Sequence, residues 1–418
     1  MTADTVYVIG GGLAGLSASV ALAAKNCHVE LIESAGQAGG RCRSYFDATL
    51  GQTIDNGNHL VLSGNRATMN YLRAIGAEGA LAGPDNADAS FCDLATGARW
   101  TIAPSNGPFP FWLFDKTKRV PGTRPGDYLE IGKLLMAGPE RTIGETLACR
   151  GALWERLLQP FFLAALNTRP ELGSAALAAQ LVRETFAKGA RAYRPRIANP
   201  TLAAAFIDPA LRYLAQAGSR VRLGERLKRI LFDAVRATAL ETASRSIALN
   251  PGDVVVLATP PWVTSELVPG VAVPDEFCAI LNAHFQIAPP PGAPAMLGLL
   301  GGTAEWVFAF PDRMSVTVSA ADRIVDLPRD ELAAILWRDV AKAHGLPAQL
   351  PPWQVVKEKR ATFAATPAQA KKRAKAGTRW RNLFLAGDWT DTGLPATIEG
   401  TIRSGNRAAA LALTASSV

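Results

Sequence analysis

"VYVIGGGLAGLSASVALAAKNCHVELIE", Val6 to Glu33, decides the fold. Apolar Val6–Ile9 predicts a buried strand, Gly10, Gly12 and Gly15 follow in GxGxxG spacing, a small-residue helix comes next, and a second strand ends in Glu33. Gly10 permits a tight turn, Gly12 lets a pyrophosphate approach the backbone, and Gly15 packs helix on sheet. Leu13 and Ala14 open the helix, whose unpaired N–H groups face the phosphates. Glu33, with Ser34 after it, stands where ribose hydroxyls are bound. Strand, turn, helix and acidic residue in this order predict a dinucleotide site.

Working outward, "GQAGGRCRS" adds a Gly39-Gly40-Arg41 turn that a nicotinamide site does not need. A second GxGxxG followed by a helix is missing, since "LGLLGGT" near Gly298 has other spacing and reads as strand. A single dinucleotide site means that electrons enter or leave through the substrate pocket or through a separate donor.

The chain of 418 residues is too long for one compact core. Its net charge of +8, from 44 basic and 36 acidic residues, is spread along it. The densest cluster, Lys371 to Arg381, reads as a solvated helix face with its following turn, or as a contact for an anionic membrane. Basic and aromatic residues do not interleave on a recognition motif, which argues against nucleic acid. Cys27, Cys42, Cys92, Cys149 and Cys278 show neither CxxC nor metal-ligand spacing; a reducing cytosol and no metal are expected. Apolar runs fall short of a membrane span.

Near the far end, "LFLAGDWTDTGLPATIEGTIRSG", Leu383 to Gly405, predicts a strand beside the first one and a helix from about Ala396. Gly387 and Asp388 then emerge at the carboxyl ends of the parallel strands, where such sheets bind ligands. The amides at Ala396, Thr397 and Ile398 would point a helix N-terminus at the ligand. Between these ends, alternating segments from Leu281 to Asp322 predict an antiparallel sheet, and Arg329–His344 a helix.

The GxGxxG and GGR turns together resemble the flavin amine oxidase and phytoene desaturase superfamily. The resemblance implies non-covalent FAD, with Leu227 at the adenine and the Ile398 amide at the flavin pyrimidine. It also implies an α/β fold, a Rossmann-like FAD-binding domain with a discontinuous α+β substrate domain: 1–85, 205–265 and 350–418 against 86–204 and 266–349. An amine oxidase would place a strand lysine near the flavin, but the one lysine between Glu266 and Leu350 is Lys342, in the predicted helix, and Thr397 stands where an aromatic is expected.

"DNGNH" at Asp55–His59, "RVPGTRPGDYLEIGKLL", "FFLAALNT", "GGTAEWVF", "EKRATFAATP" and "AGDWTDTGLPATIEG" resemble the hydroxysqualene dehydroxylases of hopanoid synthesis. Asn58 departs from the glutamine expected there. The resemblance implies reduction of an allylic C30 alcohol, hydroxysqualene, to squalene, with an external electron donor. Gly57 and Asn58 would flank the flavin. Phe109, Phe111, Trp112, Phe161, Phe162, Trp306 and Phe308 are candidates for an apolar pocket that tolerates positive charge. His59 is the candidate proton donor, because imidazole titrates in a useful range, and Asp55 its orienter or a turn cap. A substrate of this length implies attachment to the inner face of the cell membrane, through Phe109–Phe114, "DYLEIGKLLMAG" and nearby basic residues. A carotenoid-type desaturase or isomerase and a non-enzymatic isoprenoid carrier remain open alternatives.

Overall fold

The computed structural model describes residues 4–107 and 109–415. A five-stranded parallel sheet takes the order Arg220–Arg222, His28–Ile32, Thr5–Ile9, Val254–Leu257, Leu383–Leu385. These strands are short, and the inner ones are mostly apolar because both faces are covered, while the edge strand Arg220–Arg222 is not. On one face the helices Leu13–Ala23 and Ile398–Ala415 pack together through Leu16, Ala18, Ile402 and Ala409. An added Cβ at Gly405 would strike the Ala14 carbonyl and the Ser17 hydroxyl, so glycine sets how closely the helices approach.

The strand Leu383–Leu385 was expected beside Thr5–Ile9. It pairs instead with Val254–Leu257, which lies between the two. Four-residue VVVL is the most buried strand of this sheet and takes the place beside Thr5–Ile9, with the C-terminal strand at the edge.

A seven-stranded sheet takes the order Trp353–Phe363, Phe277–Phe285, Met314–Val318, Trp306–Ala309, Met296–Leu300, Ala89–Asp93, Arg99–Ile102. It is antiparallel except where Met296–Leu300 runs parallel to Ala89–Asp93, so it is mixed rather than antiparallel throughout. Helix Arg329–His344 covers one face, burying Leu332, Leu336, Trp337 and Val340 against Leu281, Phe285 and Val316. The strand Trp353–Phe363, placed from sequence with the FAD-binding segments, is an edge strand of this second sheet, paired antiparallel with Phe277–Phe285 across one register irregularity.

The basic cluster Lys371 to Arg381 is not a helix face. The helix Pro367–Lys371 ends where the cluster begins, Trp380 is buried, and Arg373 turns inward to carbonyls of Asp388, Trp389 and Thr390. Burial pushes the Arg373 guanidinium down to about 10.

Candidate functional site

Gly10, at φ +108, closes the first turn, and an added Cβ at Gly15 would run into the Gly10 carbonyl. Gly12 behaves differently, because a Cβ there meets nothing within 4 Å. The open backbone at the start of helix Leu13–Ala23 is therefore an approach for a ligand rather than a packing requirement. The Gly39–Arg41 turn lies against it: Gly39 N–H donates to the Gly11 carbonyl at 2.8 Å. Glu33 accepts from the Gly11 amide at 2.6 Å, and its other oxygen from Ser34 Oγ and the Ala35 amide. Backbone bonds from Gly224 to Ala35 and from Glu225 to Glu33 draw the segment leading to buried Leu227 alongside.

Arg41 links the two ends of the chain. Its guanidinium pairs with Asp388 at 2.7 Å and donates to the Ala361 carbonyl. Gly387, at φ +150, is held through its amide by Ser404 Oγ at 2.9 Å. The helix Ile398–Ala415 starts two residues later than the sequence suggested, after Ala396 and Thr397. Its Glu399, which sequence reasoning missed, reaches across to accept from the Ala67 and Thr68 amides and Thr68 Oγ1, capping helix Arg66–Ala74.

Arg41, Gly57, Asn58, His59, Ala396, Thr397 and Ile398 line one end of a cavity that extends past Trp112, Phe161, Trp306 and Phe308. Three of the predicted pocket aromatics lie elsewhere. Residues Phe111–Phe114 form a single helical turn of three-residue periodicity, so Phe111 and Phe114 share an outer face while Trp112 turns inward. Phe109 and Phe111 are accordingly exposed and stay out of the cavity. Phe162 is fully buried in the core: Phe161, Ala164 and Ala165 hold the cavity face of their helix, and Phe162 points about 100° away.

Polar side chains gather beside Gly57–His59. Asn58 Nδ2 donates to Thr317 Oγ1 at 3.1 Å, and Thr317 Oγ1 donates to Asn282 Oδ1 at 2.8 Å. Asn282 Oδ1 also accepts from the Asn58 amide at 3.3 Å, while Asn56 Nδ2 donates to Glu358 Oε2 at 3.3 Å. Asn56 Oδ1 is buried without a protein partner among the described residues. Asn282, Thr317 and Glu358 all line the cavity. They sit on three strands distant in sequence; Glu358 falls in the EKRATFAATP stretch, and no local signal marks Asn282 or Thr317.

His59 lines the cavity, but burial, and then the Arg41 guanidinium, push its imidazole down to about 4. It is neutral at pH 7, which removes the titration argument for an imidazolium donor. Asp55 does not serve it either: its Oδ1 accepts from Ser44 Oγ at 2.6 Å and the Leu202 amide at 2.9 Å, and burial raises its pKa. The Asp55 carbonyl is held by His284 Nε2 at 3.1 Å, whose Nδ1 lies 2.7 Å from Ser315 Oγ. That pairing fixes the Nε2–H tautomer and positions the Asp55–His59 stretch. Immediately before Trp306, burial pushes the Glu305 carboxyl up to about 7 while it accepts the Ser319 amide at 2.8 Å.

Two glycine turns, Glu33 bonded to one of them, and a helix that starts at the cavity wall are compatible with a dinucleotide. The family model for flavin containing amine oxidoreductase matches residues 13–413. Hydroxysqualene dehydroxylase of Rhodopseudomonas palustris is 52% identical, covering 98% of this chain and 99% of its own length. That of Sinorhizobium fredii is 50% identical, covering 98% of each.

The chain belongs to the hydroxysqualene dehydroxylases of the flavin amine oxidoreductase family.

It is an FAD-dependent oxidoreductase. Among solved structures, the cyclohexylamine oxidase of Brevibacterium oxydans superposes with a TM-score of 0.70 at 16% identity over 99% of both chains. An engineered putrescine oxidase gives 0.72 at 16% identity, over 99% of this chain and 100% of its own. At such identities these neighbours share the fold.

Proposed function

We propose that the protein reduces hydroxysqualene to squalene, with water as the second product and an external donor returning electrons to the cofactor. The observation that carries this reading is one continuous cavity, polar beside Gly57–His59 and aromatic beyond. In the proposed assignment Gly10 to Gly15 and Gly39 to Arg41 hold the pyrophosphate, Glu33 the ribose, Leu227 the adenine, and Asp388 with the Ala396–Ile398 amides the flavin end. Reduced flavin supplies the hydride that replaces the hydroxyl at the allylic carbon.

The chain's own residues perform the rest. Asn58, Thr317 and Asn282 orient the carbinol oxygen, and neutral His59 donates a hydrogen bond to it as the C–O bond lengthens. Glu358, the cavity carboxyl bonded to Asn56, faces the same space, and a solvent proton leaves with the hydroxyl as water. The faces of Trp112, Phe161, Trp306 and Phe308 stabilise the positive charge left on the allylic carbons and exclude water from it. Asp55 and His284 position this polar end without touching substrate.

The test is anaerobic. Hydroxysqualene added to reduced holoenzyme should restore oxidised-flavin absorbance in a single turnover. If the flavin stays reduced, while a polyene bleaches the oxidised enzyme, the desaturase alternative replaces this reading. No substrate-dependent change in either state would favour the carrier.

A further inference from the structure

Large exposed apolar side chains accumulate in one stretch: Phe109 at 68%, Phe111 at 71%, Phe114 at 73%, Leu129 at 80% and Met136 at 88%. The Phe109 and Phe111 rings lie 6.0 Å apart. Phe111 and Phe114 occupy the outer face of their turn, and its inner face is Trp112, a wall of the cavity. The Trp112 ring meets Tyr128 edge-on at 5.7 Å. Tyr128 belongs to the turn Pro125–Ile131 that exposes Leu129 and leads through Gly132–Leu135 to Met136. One aromatic contact thus locks two apolar turns into a single outer face, and the residue that makes it also borders the substrate space.

The charges around this face are predominantly basic. Lys116, Lys118, Arg119, Arg124 and Lys133 lie within the stretch against Asp115, Asp127 and Glu130, with Lys118 3.4 Å from Asp115 and Lys133 3.7 Å from Glu130. Asp115 accepts from Thr117, Asp127 from the Arg124 amide, and Glu130 from the Ala148 amide. No described helix is long and apolar enough to cross a membrane. A second copy of this chain would bring an equally basic rim against the first, and like charge opposes that pairing. An anionic lipid surface matches both the apolar centre and the basic rim.

We infer that this face rests in the interfacial layer of an anionic bilayer and that the Phe111–Phe114 turn rims the substrate's entry, so that an isoprenoid passes from lipid into the cavity beside Trp112. The inference rests on the isoprenoid reading of the substrate. It joins attachment and entry in one element: the outer side chains of the turn hold lipid and the inner one borders the cavity.

Flotation of holoenzyme with phosphatidylglycerol–phosphatidylcholine vesicles and with pure phosphatidylcholine tests the surface. Turnover of hydroxysqualene presented in those vesicles or in detergent micelles tests the entry. The pair Phe114→Asp and Leu129→Asp should lower vesicle binding at least about tenfold. Turnover from vesicles should fall in parallel, with flavin content and micellar turnover unchanged. The pair Lys116→Glu and Lys133→Glu, which leaves the apolar residues in place, should weaken binding to the anionic vesicles alone. Wild-type protein that does not float, or an aspartate variant that turns over vesicle substrate as fast as wild type, overturns the inference. So does a dimer that the aspartate pair dissociates, without any lipid binding. Absence of micellar turnover in every form would refute the substrate reading, and flotation alone would then decide the surface.

Discussion

At the residue scale, His59 and Glu358 both line the cavity, and their roles separate on substitution. An imidazole held at about 4 is protonated in only about one molecule in a thousand at pH 7, so a donor role for His59 as imidazolium would make turnover rise about tenfold per pH unit on acidification. Neutral hydrogen bonding predicts a flat response between pH 6 and 8. His59→Ala should slow single-turnover reduction about tenfold, and Glu358→Gln about a hundredfold, with flavin retained in both. A Glu358→Gln variant of wild-type speed would remove the carboxyl from the mechanism. His284 provides a separate check. Its imidazole is held neutral inside, at about 4, by burial first and then by Arg313, whereas in the unfolded chain it titrates near 6.5. The unfolded state therefore binds the extra proton, and the stabilisation is present above about 6.5 and is lost as the pH falls towards 4. His284→Gln should flatten the fall in urea-unfolding free energy across this window by about 1.4 kcal/mol per pH unit, one proton's worth. An unchanged slope would mean that the buried ring is already charged.

At the scale of elements, the C-terminal helix does two tasks through its first turn. Its amides face the cavity, and Glu399 caps the helix Arg66–Ala74 while Arg403 holds the same carboxylate at 2.8 Å. Glu399→Ala removes the cap and leaves two buried amides unpaired, which should cost about 2–3 kcal/mol. Thermal unfolding with and without added FAD should show a lower midpoint and weaker flavin retention; a midpoint within error of wild type would contradict the capping role. Sequence alone located the glycine loop, its helix and the helix Arg329–His344, because each carries its own local signal of glycine spacing or 3.6-residue periodicity. It misplaced the strand Leu383–Leu385 by one position and read Lys371–Arg381 as a helix face. Strand order and the inward turn of Arg373 are set by tertiary partners that a local pattern does not contain. Phe111 and Trp112 make the same point within one turn: both are aromatic, and only the direction of the helical turn separates an exposed ring from a cavity wall.

At the scale of the whole molecule, the two sheets bring residues from opposite ends of the chain to one cavity, and Arg41 with Asp388 ties those ends together. The cofactor end of the site was legible because Gly10–Gly15 and Gly39–Arg41 are contiguous motifs. The substrate end was only half legible: the motif stretches contain Phe161, Trp306, Phe308 and Glu358, and Trp112 lies in an aromatic run, but the sequence does not say which of their side chains face inward. Asn282, Thr317 and His284 lie outside those motifs and enter the site through strand pairing, Asn282 opposite Thr317 and His284 opposite Ser315. The account's central claim is the direction of electron flow, from flavin into an allylic alcohol. Anaerobic mixing of chemically reduced holoenzyme with hydroxysqualene, followed by mass analysis of the extracted lipid, tests it most directly. The account predicts squalene in a one-to-one ratio with the flavin oxidised. Recovery of intact hydroxysqualene beside fully reduced flavin, or of a more desaturated product formed only by the oxidised enzyme, would contradict it.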